Sequence, residues 1–139
     1  MHHRSLCGLG VLLFCAAAMA QDHDRARTDA PLPIVTPILS EPLADQPGKE
    51  VLLLAVEFPP GAVDPVHRHD AHAFVYVLEG TIVMGVAGGK DVVLGAGQTF
   101  QERPEDVHTV GRNASNDAPA RFLAFLVKDI GKPAVLPAD

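Results

Sequence analysis

Gly61 to Gly80, GAVDPVHRHDAHAFVYVLEG, is the stretch whose reading decides the fold. It opens and closes on glycine, and its centre carries His67 and His69 two residues apart. Alternate residues of a β-strand point to the same face, so both imidazoles project together if this run is extended. Neutral imidazole is a good ligand for first-row divalent metals, and a third ligand has to come from elsewhere in the chain. His72 lies three residues beyond His69, and His108 opens a later run just after Pro104-Glu105-Asp106. Four of the five histidines beyond residue 20 fall in these two segments, which sets them apart from solvated rings scattered along a surface.

Outward from this stretch the sequence predicts short β-like runs: Glu50 to Phe58, Val63 to His69, Phe74 to Leu78, Thr81 to Val86, Val92 to Leu94, Gln98 to Gln101, His108 to Val110 and Arg121 to Val127. Pro59-Pro60-Gly61, Glu79-Gly80, Gly88-Gly89-Lys90 and Gly95-Ala96-Gly97 separate them with turn chemistry. No long interior stretch has helical periodicity, and there is no internal repeat. The spacing suits an all-β antiparallel sandwich or barrel.

Gly61 to Gly80 resembles the first motif of the cupin superfamily, and Gly97 to Asn113, GQTFQERPEDVHTVGRN, resembles the second. The first has its glycine, the His-x-His pair and the closing Leu78-Glu79-Gly80; the second has its glycine, proline and histidine. The resemblance implies a single cupin-type double-stranded β-helix, a jelly-roll barrel with roughly six to eight strands in each sheet. It further implies that His67, His69 and His108 point inward to bind one divalent transition metal, whether iron, manganese, nickel, zinc or copper.

Two departures qualify the motifs. Ala73 stands where the family carries a glutamate ligand, so the site is either a three-histidine one or completed by His72, which reaches it only if the chain bends at Asp70-Ala71. Pro104 to His108 is one residue shorter than the common pattern and Asn113 one residue later. Two further side chains are catalytic candidates. Glu102, in the strand leading to Pro104, is a general-base candidate or a replacement for the lost glutamate. Tyr76, the only tyrosine, fits a barrel-lining position. Asn113-Ala114-Ser115 is formally a glycosylation acceptor in a eukaryotic secretory route.

The ends read differently. Residues 1–20 combine a short polar start, an apolar run from Leu6 to Ala18 and the small-residue triplet Ala18-Met19-Ala20, as a signal peptide cleaved near Ala20 does. Phe14 before Cys15 is too bulky for a lipidation signal. The expected divisions are a signal at 1–20, an extended N-terminal arm at 21–45, the barrel at 46–130 and a C-terminal tail at 131–139 over the surface. The product is expected in the periplasm or outside the cell, with no stable membrane insertion, because no segment offers the ~20 apolar residues of a span. Both cysteines, Cys7 and Cys15, leave with the signal, so neither disulfide nor thiolate chemistry remains. Losing Arg4 leaves 10 basic against 17 acidic residues, a net charge of −7 with no basic cluster, which excludes nucleic acid as a partner. Cupins commonly pair through N-terminal strands, and Ile34 to Leu39 suits a homodimer contact. The expected function is a metal-dependent oxygenase or isomerase acting on a small molecule, with a non-catalytic small-molecule or metal-binding protein as the alternative.

Overall fold

The computed structural model describes residues 29–138, so the expected signal segment, Cys7, Cys15 and His23 lie outside the described residues. Ten strands run β1 Ile34–Pro42, β2 Lys49–Phe58, β3 His67–Arg68, β4 Ala71–Glu79, β5 Thr81–Val86, β6 Val92–Gly95, β7 Thr99–Glu102, β8 Val107–Asn113, β9 Ala120–Asp129 and β10 Leu136–Pro137. They form two five-stranded antiparallel sheets, ordered β1-β2-β9-β4-β7 and β10-β3-β8-β5-β6. The architecture is the all-β jelly roll that the two motifs imply, with five strands per sheet in place of the six to eight expected. No described helix is long and apolar enough to cross a membrane.

β4 shows how sequence becomes packing. Its period-two alternation buries Ala71, Ala73, Val75 and Val77 and exposes His72, Phe74, Tyr76 and Leu78. The buried set joins Leu54, Val56 and Phe58 of β2 and Phe122 and Leu126 of β9 in one core, with Ile82 and Met84 facing them from the other sheet. Phe58 and Phe122 meet edge to face, with ring centroids 5.0 Å apart. Turning from β4 into β5 requires Gly80, whose φ is +74°, and a Cβ there would come within 2.8 Å of the Ala120 backbone.

Three segments behave differently from their sequence reading. Val63 to His69 is not one strand: only His67–Arg68 is regular, and Val63 makes an isolated bridge to Arg112. Pro65, with no N–H, interrupts the ladder between them. Ile34 to Pro42 joins the sheet as edge strand β1, paired with β2 across a register shift between Pro37 and Leu39. The C-terminal segment does more than cross the surface, since Leu136–Pro137 pairs with β3 alongside the histidines.

Sequence reasoning also missed a buried ion pair. Lys128 Nζ donates to Glu50 Oε1 and to the carbonyls of Lys132 and Asp129, and Ser40 donates to Glu50 Oε2 at 2.9 Å. These bonds, Lys128 first, hold the Glu50 carboxyl below its ordinary value.

Candidate metal centre

The ladder between β3 and β8 sets His67 directly opposite His108, and opposite residues of an antiparallel pair share a face. His69 follows two residues after His67 and returns to the same side. Among the described residues, these three buried histidines form a cluster whose ligand atoms all lie within 4.8 Å of one another.

Backbone carbonyls orient two of the rings. His67 Nδ1 donates to the Pro65 carbonyl at 2.8 Å, and His69 Nδ1 donates to the carbonyl of Ala134 in the C-terminal segment. A carbonyl only accepts, so each Nδ1 carries its proton, and the nitrogen left to hold a metal in the centre is Nε2. Those Nε2 atoms stand 3.1 Å apart, and His108 Nδ1 is 3.4 Å from His67 Nε2. With metal–nitrogen bonds of about 2.1 Å, neighbouring ligands are about 3.0 Å apart in an octahedral shell and about 3.4 Å apart in a tetrahedral one. The donor set therefore fits a single first-row ion in chemistry and in spacing.

Burial holds the His108 imidazole down to about 4, with His67 adding to it and the Val110 backbone opposing. Burial also lowers His69, against a smaller pull from its Ala134 bond. Both rings are thus neutral, as ligands must be. Gly111 leaves room for His108: a Cβ there would sit 3.0 Å from His108 Cε1 and 3.0 Å from Asp64 Cβ.

Glu102 ends β7 with its side chain turned inward and only 3% exposed. Its Oε2 lies 3.7 Å from His69 Nε2 and its Oε1 3.8 Å from His108 Nδ1. Burial raises this carboxyl to about 7, followed by the negative charges of Asp106 and Asp64. Glu102 Oε2 and His108 Nε2 are buried without a hydrogen-bond partner, each at a cost of about 1–3 kcal/mol.

The remaining candidates fall elsewhere. His72 and Tyr76 belong to the exposed alternation of β4, so both point away from the cluster. His72 stacks near Phe74, with centroids 6.5 Å apart, and Tyr76 is 48% exposed on the outer face and does not line the barrel. The chain does not bend enough at Asp70-Ala71 to bring His72 inward. Asn113 is structural: its buried Nδ2 reaches the carbonyls of Phe58, Pro59 and Ala118, which leaves no free amide for glycosylation. Sequence reasoning did not find Asp64, which lines the site with Oδ1 3.9 Å from His67 Nδ1.

A cavity of about 70 Å³ adjoins the histidines, walled by Leu54, Val56, Val75, Met84 and Phe122. At ~10–15 Å³ per water centre it holds about five waters. Its polar lining is confined to Asp64, Glu102 and the three histidines.

A small jelly-roll barrel with a three-histidine cluster on its inner wall is the class that fold and site define. Residues 54–126 match the family model described as Cupin domain, over half of the chain, and the protein belongs to that family. No curated protein matches it. Among solved structures it is similar to a conserved protein with a double-stranded β-helix domain from Klebsiella pneumoniae, at 19% identity and TM-score 0.60, covering 76% of this chain and 85% of that one. A cupin domain from Bordetella pertussis aligns at 22% identity and TM-score 0.55, covering 72% and 97%. Oxalate oxidase in complex with the substrate analogue glycolate aligns at 24% and 0.56, covering 75% of this chain and 54% of the oxidase. At these identities the likeness shows the shared fold alone.

Proposed function

We propose that the protein binds one divalent transition metal on His67, His69 and His108 and uses it as an oxygenase or isomerase of a small anionic molecule. The observation that carries the reading is the pair of fixed tautomers, which aims two lone pairs at each other across 3.1 Å. Two facing lone pairs repel, and a cation between them removes the repulsion. A bound divalent metal supplies Lewis-acid polarisation and, if iron, oxygen chemistry. The protein's own part is to fix the imidazoles, to exclude bulk water with an apolar wall and to hold Glu102 where a proton can be taken or returned. Because the cavity lining offers no cation or amide, an anionic ligand depends on the metal for its recognition. The oxalate oxidase neighbour agrees in fold.

A second reading, capture of a metal or small molecule without turnover, draws on the same lining, which has no hydroxyl, lysine or arginine to orient a substrate. Metal analysis of the purified protein, followed by oxygen uptake with catechols, thiols and keto acids, separates the two. Stoichiometric iron with substrate-dependent uptake supports the enzyme. Stoichiometric metal without uptake on any of them removes the oxygenase, and a protein that takes up no metal sinks the metalloenzyme and metal capture alike.

The same proposal has the chain exported to the periplasm or beyond and paired as a homodimer. The pairing rests on the outer face of the β1-β2-β9-β4-β7 sheet, where Leu39, Leu53, Phe125 and Phe74 stand in register across four strands. At ~4.8 Å per strand the five-stranded face is about 24 Å wide. Glu57–Arg121–Glu79 and Lys49–Asp129 ion pairs lie at its two ends. An apolar centre with a charged rim is the anatomy of an interface.

A further inference from the structure

We infer that Glu102 is a fourth protein donor to the metal, its carboxylate delivered from β7 across a space that Ala73 of β4 leaves open. The inference rests on the three-histidine reading and extends it.

In the β4–β7 ladder Ala73 is the direct partner of Glu102, and both side chains are buried on the inner face. Opposite residues place their Cβ atoms ~4.5–5.5 Å apart, so a larger side chain at 73 would occupy the space that the Glu102 side chain crosses. Ala73 and Glu102 both line the cavity beside the histidines.

One oxygen of the Glu102 carboxylate is buried without a partner, and the ionisable side-chain nitrogens that approach it among the described residues are those of His69 and His108, at 3.7 and 3.8 Å. Neither contact is a hydrogen bond, because both distances are too long and His69 Nε2 presents a lone pair, not a proton. No lysine or arginine reaches Glu102 to make an ion pair among the cavity-lining residues. What Glu102 faces is the same point the imidazole lone pairs face. A cation there gives the Glu102 carboxylate and the facing imidazole nitrogens a common partner, and a small rotation of the glutamate side chain shortens its approach to ligand distance. Three neutral imidazoles and one carboxylate also reduce the net charge of a divalent site from +2 to +1, leaving it open to a monoanionic chelating ligand.

The test titrates Co2+ into the wild type, E102Q, E102A, the swap A73E/E102A and H67A/H69A, with circular dichroism as the check on folding. Visible absorption reads the ligand field, and competition with a chelator reads Kd. Both single variants should change the cobalt bands and weaken binding by about 100-fold, at the upper limit of what an outer-shell partner costs. A73E/E102A, which returns the carboxylate to the facing strand, should recover both, and formate added to E102A should recover the bands. If E102Q keeps the wild-type bands, even with a weaker Kd, Glu102 only supports the ligands and the inference is overturned while the three-histidine site stands. If the wild type binds no cobalt, or H67A/H69A binds as the wild type does, the underlying metal reading is what fails.

Discussion

Glu102→Gln in metal-free protein should stabilise the fold, and the gain should grow with pH. The carboxyl rises from 4.5 to about 7 on folding. Between those values the native protein keeps a proton that the unfolded chain has released, so stability falls as the pH climbs through this window. At 1.36 kcal/mol per pH unit the accumulated cost is at most about 3 kcal/mol by pH 8. Glutamine has the same shape and nothing to ionise. His108 works with the opposite sign: its folded value, about 4, lies below the unfolded 6.5, so its contribution is intact above pH 6.5 and lost as the pH falls toward 4. That contribution is common to both proteins and drops out of their difference. Urea unfolding in EDTA at pH 4.5 and pH 8 supplies that difference, and an m-value of ~1–3 kcal/mol per molar makes 3 kcal/mol a midpoint shift of at least about 1 M. A difference between E102Q and wild type that is the same at both pH values would refute the reasoning, because it would mean that the buried carboxyl titrates as an exposed one. Saturating divalent metal should reverse the order, since an ionised carboxylate beside a cation is no longer a cost.

Gly111→Ala should push His108 out of line, at a cost of about 1–3 kcal/mol of stability for overpacking and a measurable loss of metal affinity; unchanged affinity by chelator competition would show that His108 has slack. Lys128→Met should lower the urea midpoint at pH 7 by stranding the buried Glu50 carboxylate. Glu50 titrates below its ordinary 4.5 in the fold, so its stabilisation is present above that pH and fades as the pH falls below it; the variant should lose this acid sensitivity, and an acid-unfolding curve parallel to the wild type would contradict the assignment. Phe125→Glu should convert a dimer to a monomer in sedimentation equilibrium, and a wild type that is already monomeric disposes of the proposed interface.

The barrel was legible because turn residues and short β-branched runs are local signals. His67 and His69 were legible for the same reason, as was His108 once the second motif was placed. Orientation was harder. On β4 both alternating sets are apolar, Ala71, Ala73, Val75 and Val77 on one side and Phe74, Tyr76 and Leu78 on the other. With no polar face to mark the outside, nothing in the residues says which way Tyr76 and His72 point. Glu102 was named as a candidate, but its proximity to His69 follows from register between β4 and β7, which no short stretch of sequence encodes. The Glu50–Lys128 pair, 78 residues apart in the chain, lies beyond local reading for the same reason.

The bond from His69 to the Ala134 carbonyl joins residues 65 positions apart, and β10 reinforces it by pairing with β3. The segment from Ala134 to Pro137 is therefore a clasp on the ligand set. Protein cut after Ile130 would keep the core strands, yet it would free the His69 ring to turn over and offer the wrong nitrogen. During synthesis the centre cannot assume this form until Ala134 has been added, so a chain terminated before that residue lacks the carbonyl that fixes the His69 ring.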